Sequence, residues 1–399
     1  MENSTTLYDK RMSHFVGIGL VLGFLLPHTS TALMLVNPLL CIFYMCFKAN
    51  RIFYKRNWFA LIPVLLSLFI NYPQGVEMKA LLSCITILLY FFCFPFVGRV
   101  KIPSGYFYLI LIVIILTQLA YVLKIPFLTN FLDVYYPFAE GDTAYIYMRS
   151  HINLDNMLNY RLGGLYRNSN QCSRFITFLL AGYLVFNESK FIKMLPFVII
   201  SLIGVVLTGS RTGFFVAGLL VIVYTFVNRK VPEGLRYLIV FLLVGYFIFM
   251  LFSESSGLRG TTIENGIEGS LSKKWETFLF YLSTEHSVPA ILLGHLDTTQ
   301  FVSSFDVMSR FDSEYGILIF SYGFIGFICI LVYFYSIFKR TNRIGKVYFI
   351  LLLWAVSSTI VSSFRAFFVF MLLLSVIYTK FSLEHNSDMS PNNGRYRTK

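Results

Sequence analysis

The sequence predicts an all-α polytopic integral membrane protein with about twelve transmembrane helices and both termini on the cytoplasmic side. Three observations carry that expectation. The 399 residues are 56% hydrophobic and only 13% charged, with 43 Phe and 26 Tyr, and the mean hydropathy is +0.68. A soluble domain of this size does not have that composition. The apolar residues fall in long runs separated by polar connections, and the short connections alternate between basic and free of Lys or Arg.

The runs cover residues 14–27, 31–47, 58–70, 80–97 and 106–123. After a long polar stretch come 172–186, 191–207, 214–227 and 237–252; after a second come 315–338, 347–363 and 366–378. A span takes roughly 17–25 mostly apolar residues, so 14–27, 58–70 and 366–378 are short for one. The first run follows Lys10 and Arg11 but lacks a small-residue cleavage site, and it reads as a span rather than a leader.

Basic residues set the orientation. Lys48, Arg51, Lys55 and Arg56 follow the second run, and Arg99 and Lys101 the fourth. Lys190 and Lys193 precede the seventh, Arg229, Lys230 and Arg236 follow the eighth, and Lys339, Arg340, Arg343 and Lys346 follow the tenth. The intervening connections His28-Thr29-Ser30 and 71–78 carry none. All basic short loops thus fall on one side, with both termini. Residues 1–379 read as a single multi-spanning domain whose large loops, 124–171 and 253–314, lie outside. The polar tail 380–399, with Pro391, Asn392, Asn393 and Gly394, reads as cytoplasmic and disordered.

Composition excludes several classes. A net charge of +13 would point to nucleic acid in a soluble protein. Here basic cytoplasmic loops and arginines serving an anionic ligand account for it, so no nucleic-acid partner is expected. Cys41, Cys46, Cys84, Cys93, Cys172 and Cys329 lie in or beside apolar runs without a CxxC, so neither a disulfide framework nor a metal knuckle is expected. No His/Asp/Glu cluster has metal-ligand spacing, and His295 is a lone loop histidine. No Walker loop, Rossmann fingerprint or GxSxG occurs, so no metal, nucleotide or other cofactor is expected. No internal repeat of the transporter kind is visible.

The chemistry-bearing residues gather at the outside ends of the runs. Thr208-Gly209-Ser210-Arg211-Thr212-Gly213 joins two runs and puts Arg211 at the tip of a helical hairpin. Arg365, in the turn Ser362-Ser363-Phe364-Arg365, lies on the same side. Both run against the bias of short outside loops, which favours an anionic ligand over simple snorkelling. The first outside loop carries Tyr135, Tyr136, Phe138, Glu140, Asp142, Tyr145 and Tyr147, which suit a glycan or an interfacial aromatic belt. It ends in Arg161, Gly163, Gly164, Arg167, Asn168, Asn170 and Arg174. Arginine forks bind phosphate oxygens bidentately, and glycine lets backbone approach a ligand closely. The second loop ends in Arg310, Asp312, Glu314 and Tyr315. Asp312 and Glu314 are candidate general bases at a membrane edge, or else solvated loop carboxylates, with Asp312 also placed to cap the helix that follows.

Three stretches together resemble the O-antigen polymerase/ligase superfamily, and within it the Wzy-type polymerases of bacterial surface polysaccharide. They are Arg161-x-x-Gly164 with Asn168-Ser169-Asn170 before a span, Leu207 to Gly213 between spans, and Asp312-Ser313-Glu314-Tyr315-Gly316 with Tyr322-Gly323-Phe324-Ile325-Gly326 after a large loop. Arg310 and Gly326 also stand at the Arg-x15-Gly spacing of some polymerases. The ligase branch carries a His-Asn pair where this chain has Asp312-Ser313, which favours polymerase.

The resemblance implies a glycosyltransferase-C-like protein of the bacterial inner membrane with two large periplasmic loops. It implies a metal-independent transfer of an undecaprenyl-pyrophosphate-linked glycan chain onto a lipid-linked repeat unit. Arg161, Arg167, Asn170, Arg174, Arg211, Arg310, Arg365 and Tyr315 would bind pyrophosphate or substrate, and Asp312 or Glu314 would take the acceptor proton. The implied partners are the undecaprenyl-pyrophosphate-linked oligosaccharide, membrane lipid and a chain-length regulator of the polysaccharide co-polymerase type. The alternatives are a flippase or exporter of the same lipid-linked oligosaccharide, and an O-antigen ligase.

Overall fold

The computed structural model describes residues 2–27, 36, 39–40, 57–71, 78–93, 102–135, 151–157, 160–166, 168–187, 190–228, 230–252, 276, 279–283, 287–295, 314–356, 360 and 363–381. Most of the expected span 31–47, the aromatic segment 136–150 and the tail beyond Phe381 lie outside the described residues.

The described elements are helices. In chain order they are α1 Glu2–Leu25, α2 Asn57–Asn71, α3 Met78–Cys93, α4 Ser104–Leu119, α5 Pro126–Tyr135, α6 Ser169–Phe186 and α7 Phe191–Leu207. Then follow α8 Arg211–Val227, α9 Glu233–Phe252, α10 Val288–Leu293, α11 Glu314–Arg340, α12 Arg343–Lys346, a 3-10 helix Val347–Val356, and α13 Phe364–Phe381. The short apolar runs are lengthened by flanking residues. α13 has 18 residues, about 27 Å of helix. α1 has 24 residues and ends at Leu25, so the run 14–27 supplies only its apolar second half. One described helix segment, Tyr315–Arg340, is long and apolar enough to cross a membrane, and other described helices are apolar but shorter.

α6 and α13 form the centre. Every residue from Cys172 to Phe186 is buried, as is every residue from Ala366 to Tyr378. A helix apolar all round needs neighbours on every side, and α6 packs against α4, α7, α8, α13 and the 3-10 helix. The outer helices are apolar outward as well. Phe69 on α2 is 80% exposed, Phe241 on α9 75% and Ile192 on α7 61%. So many exposed large apolar side chains are unusual on a soluble monomer and match a lipid surrounding.

Helix ends gather at two poles. At one, Tyr166 Oη and Arg365 Nη2 both donate to the Phe24 carbonyl near the end of α1, and Gln118 near the end of α4 donates to Gly204 in α7. At the other, Lys380 Nζ donates to the Phe186 carbonyl at 3.1 Å, and Asn342 N to the Phe381 carbonyl at 3.1 Å. α1, α4 and α7 therefore end at the pole where α6, α8 and α13 begin.

The tenth run, expected as one span, is broken. Gly323 has φ 65 and ψ −179, a conformation open to glycine, so α11 divides there. A break inside an apolar bundle frees backbone groups that need partners. The Phe320 carbonyl accepts from His295 N at 2.8 Å and the Ser321 carbonyl from Ser67 Oγ at 2.9 Å. Asn71 Nδ2 then donates to the Gly294 carbonyl at 3.1 Å, tying the end of α10 to α2. A Cβ at Gly323 would fall on the Leu292 carbonyl, so α10 seats directly on the break. The rings of Tyr315 and Phe327 meet at 5.8 Å, although twelve residues of straight helix would separate their Cα atoms by about 18 Å. The first part of α11 is thus bent back toward the second.

Two further differences stand out. The run 347–363 was expected as a plain span, yet Val347–Val356 is a 3-10 helix of ten residues, with the Tyr348 hydroxyl donating to the Phe370 carbonyl at 2.9 Å. At the tighter 3-10 rise, ten residues reach about 20 Å. The large loops also hold helices. α5 leaves Phe127 78% and Val134 69% exposed, while the Tyr121 hydroxyl donates to Asp133 Oδ1 at 2.8 Å.

Candidate functional site

The site is built from the loop before α6 and the turn between α7 and α8. The hexapeptide that opens α8 has a position-by-position explanation. Thr208 is the C-cap of α7, and its hydroxyl donates to the Val205 carbonyl at 2.6 Å. Gly209, at φ 60, takes the left-handed conformation that reverses the chain and donates to the Val206 carbonyl at 2.9 Å. Ser210 is extended and caps α8, its Oγ accepting from Gly213 N at 3.1 Å. Arg211 is the first residue of α8. It is not the tip of the hairpin, which falls at 208–210, and it is partly buried.

α6 begins in the same way. Asn168 is extended, and its Oδ1 accepts from Asn170 N at 2.8 Å. The first turns of α6 and α8 touch: a Cβ at Gly213 would lie 2.6 Å from the Ser173 side chain. Glycine at 213 is what lets these turns meet. Each helix N-terminus carries about half a positive charge, so two such ends converge here.

Arg161 lies across this junction. Its Nη2 donates to Asn170 Oδ1 at 2.6 Å, and its Nε reaches the Thr208 carbonyl at the long distance of 3.5 Å. The next residue is pinned to α7, with Leu162 N donating to the Leu207 carbonyl at 3.0 Å. The structure therefore joins the first and second sequence motifs, which are far apart in the chain, at one pole of the bundle.

Arg174 and Arg365 form a second, deeper group. Arg174 is 1% exposed and Arg365 9%. Their guanidinium carbons lie 5.4 and 5.1 Å from the Phe175 centroid, and Arg365 is also 4.9 Å from that of Tyr166. The Tyr166 and Phe175 rings stack at 4.8 Å. Arg365 Nε donates to the Gly23 carbonyl at 2.8 Å and its Nη2 to that of Phe24. A cation on the last carbonyls of a helix offsets their negative end, so Arg365 caps α1 and supports the core, a role its sequence position did not suggest.

Tyr315 is at a third place, the head of α11, with its ring against Phe327. Arg167, Arg310 and Asp312 lie outside the described residues, and so does the side chain of Glu314, whose backbone opens α11. Sequence reasoning passed over two residues, Gln118 beside the first group and Tyr166 in the second. Gln118 donates to the Leu162 and Gly204 carbonyls at 3.2 and 3.0 Å, and Tyr166 links the loop to α1. The signal for Gln118 was present: it is a polar residue inside the run 106–123.

Chemically, two helix N-termini with Arg161 and Arg211 beside them form a cationic pole suited to phosphate oxygens. No protein-family model matches the chain, and no curated protein is significantly similar to it.

Proposed function

We propose that the chain is a multi-pass membrane glycosyltransferase that polymerises surface polysaccharide from undecaprenyl-pyrophosphate-linked glycan at the outer face of a bacterial inner membrane. In this reading about twelve helices span the bilayer, and the pole holding Arg161 and Arg211 faces the periplasm. The observation that carries it is the convergence of the Arg161–Asn170 segment with the Thr208–Gly213 turn, where α6 and α8 begin.

The chemistry follows from that pole. The acceptor sugar hydroxyl gives its proton to Asp312 or Glu314 and attacks the anomeric carbon of the lipid-linked chain. A glycosidic C–O bond forms as the C–O bond to pyrophosphate breaks, and undecaprenyl pyrophosphate leaves. Negative charge grows on the departing oxygen. Arg161, held by Asn170, and Arg211 at the start of α8 stabilise that charge together with the two helix ends. Asn170 holds the Arg161 fork in place. Arg174 and Arg365 are buried against the Phe175 ring.

A gel of surface polysaccharide from a deletion strain tests this. A single displayed repeat unit is expected. Undisplayed free long chains would indicate a ligase instead, and loss of all external product a flippase.

A further inference from the structure

We infer that Gln118 is a positioning residue that aims Arg161 at the departing pyrophosphate, an inference that rests on the pyrophosphate reading of Arg161. Gln118 is the penultimate residue of α4 and is 1% exposed. Its Nε2 donates to the Leu162 carbonyl at 3.2 Å and to the Gly204 carbonyl at 3.0 Å, and lies 3.4 Å from Cys172 Sγ. Two carbonyl acceptors on the same nitrogen fix which way the amide points. Its Oε1 is buried and has no hydrogen-bond partner among the described residues.

A buried amide with an orphan oxygen is unfavourable compared with an apolar side chain of the same shape. What the amide provides is a grip on the loop that an apolar side chain lacks. Leu162 is held on both sides, its carbonyl by Gln118 and its N–H by the Leu207 carbonyl at 3.0 Å. The loop is also pressed on α4, since a Cβ at Gly164 would come 2.9 Å from Thr117 Oγ1 and 3.0 Å from Gln118 N. Gln118 ties three elements, α4, α7 and the loop before α6, at the residue next to Arg161. From the backbone held at 162, the Arg161 side chain runs along the 208–210 turn to Asn170.

The test uses the purified full chain, titrated with undecaprenyl pyrophosphate and followed by thermal unfolding. Gln118→Met keeps the length and removes both the donors and the orphan oxygen. It should lower the Tm modestly, because the Leu162 and Gly204 carbonyls lose their donor, and weaken undecaprenyl pyrophosphate binding about tenfold at temperatures well below that Tm, where the chain is folded. On an Arg161→Ala background the same change should add nothing further. If the methionine chain does not accumulate, Gln118→Asn keeps the donors but is too short to hold both carbonyls, and it should give the same pattern. Native affinity in the Gln118 variant, with affinity lost in Arg161→Ala, would overturn the inference alone. An affinity loss that persists on the Arg161→Ala background would also overturn it. Failure of the unmodified chain to bind undecaprenyl pyrophosphate would remove the pyrophosphate reading and this inference with it.

Discussion

Arg161 and Asn170 are joined by a 2.6 Å hydrogen bond from Nη2 to Oδ1, and Asn170 N is itself bonded to the capping side chain of Asn168. The guanidinium is thereby tied to the first turn of α6. Asn170→Ala removes the acceptor and should lower chain extension about tenfold. Asn170→Asp keeps the geometry but places a carboxylate on Arg161, neutralising the charge an anionic ligand needs. The aspartate variant should therefore be less active than the alanine variant. Polysaccharide chain length on gels ranks the two, and the opposite order would contradict an anion-binding role for Arg161.

The first turn of α8 gives a second prediction. Arg211 is helix position N1, where its charge adds to the helix end. Arg211→Lys retains the charge without the planar fork. Extension should fall strongly in Arg211→Lys if two phosphate oxygens are gripped together. Full activity in the lysine variant, read from the same gels, would reduce the requirement to charge alone.

Arg365 is expected to behave differently. Its Nε and Nη2 hold the Gly23 and Phe24 carbonyls, and its guanidinium faces the Tyr166 and Phe175 rings. Arg365→Met should destabilise the protein by about 2–3 kcal/mol, because the end of α1 loses its donors. Thermal unfolding in detergent measures this. The chain that remains folded should bind undecaprenyl pyrophosphate as the native protein does, which separates Arg365 from Arg161.

Gly323 tests the break in α11. At φ 65 with the Leu292 backbone against it, no side chain fits. Gly323→Ala should cost about 3 kcal/mol and displace α10. Thermal unfolding reads the first effect, and faster proteolysis near Leu292 reads the second. A stable, protease-resistant Gly323→Ala chain would mean that α11 runs straight.

Much of this was legible in the sequence, for identifiable reasons. The run 191–207 is α7 to the residue, because Thr208, Gly209 and Ser210 end one helix and begin the next with local turn chemistry. The loop before α6 was marked by its arginines, glycines and asparagines, and it meets the 208–210 turn, which the alternating pattern had put on the same expected side. Other features depend on partners distant in the chain. The break at Gly323 needs Ser67 and His295 to satisfy the freed carbonyls, and nothing local to residues 315–338 announces them. α5 and α10, of ten and six residues, are too short for a helical period to stand out from polar loops. The capping of α1 by Arg365 could not be read locally because its acceptors, the last carbonyls of α1, are 341 and 342 positions away.

In the proposed reaction, Arg161 and Arg211 stabilise a departing lipid pyrophosphate during chain transfer. The most direct measurement supplies the purified chain with a lipid-linked repeat unit, without nucleotide, and follows product length together with release of undecaprenyl pyrophosphate. The native chain should produce a ladder of lengthened glycans with one undecaprenyl pyrophosphate released per bond, and Arg211→Ala should leave the single repeat unextended. An unchanged ladder from Arg211→Ala, or no ladder from the native chain, would contradict it.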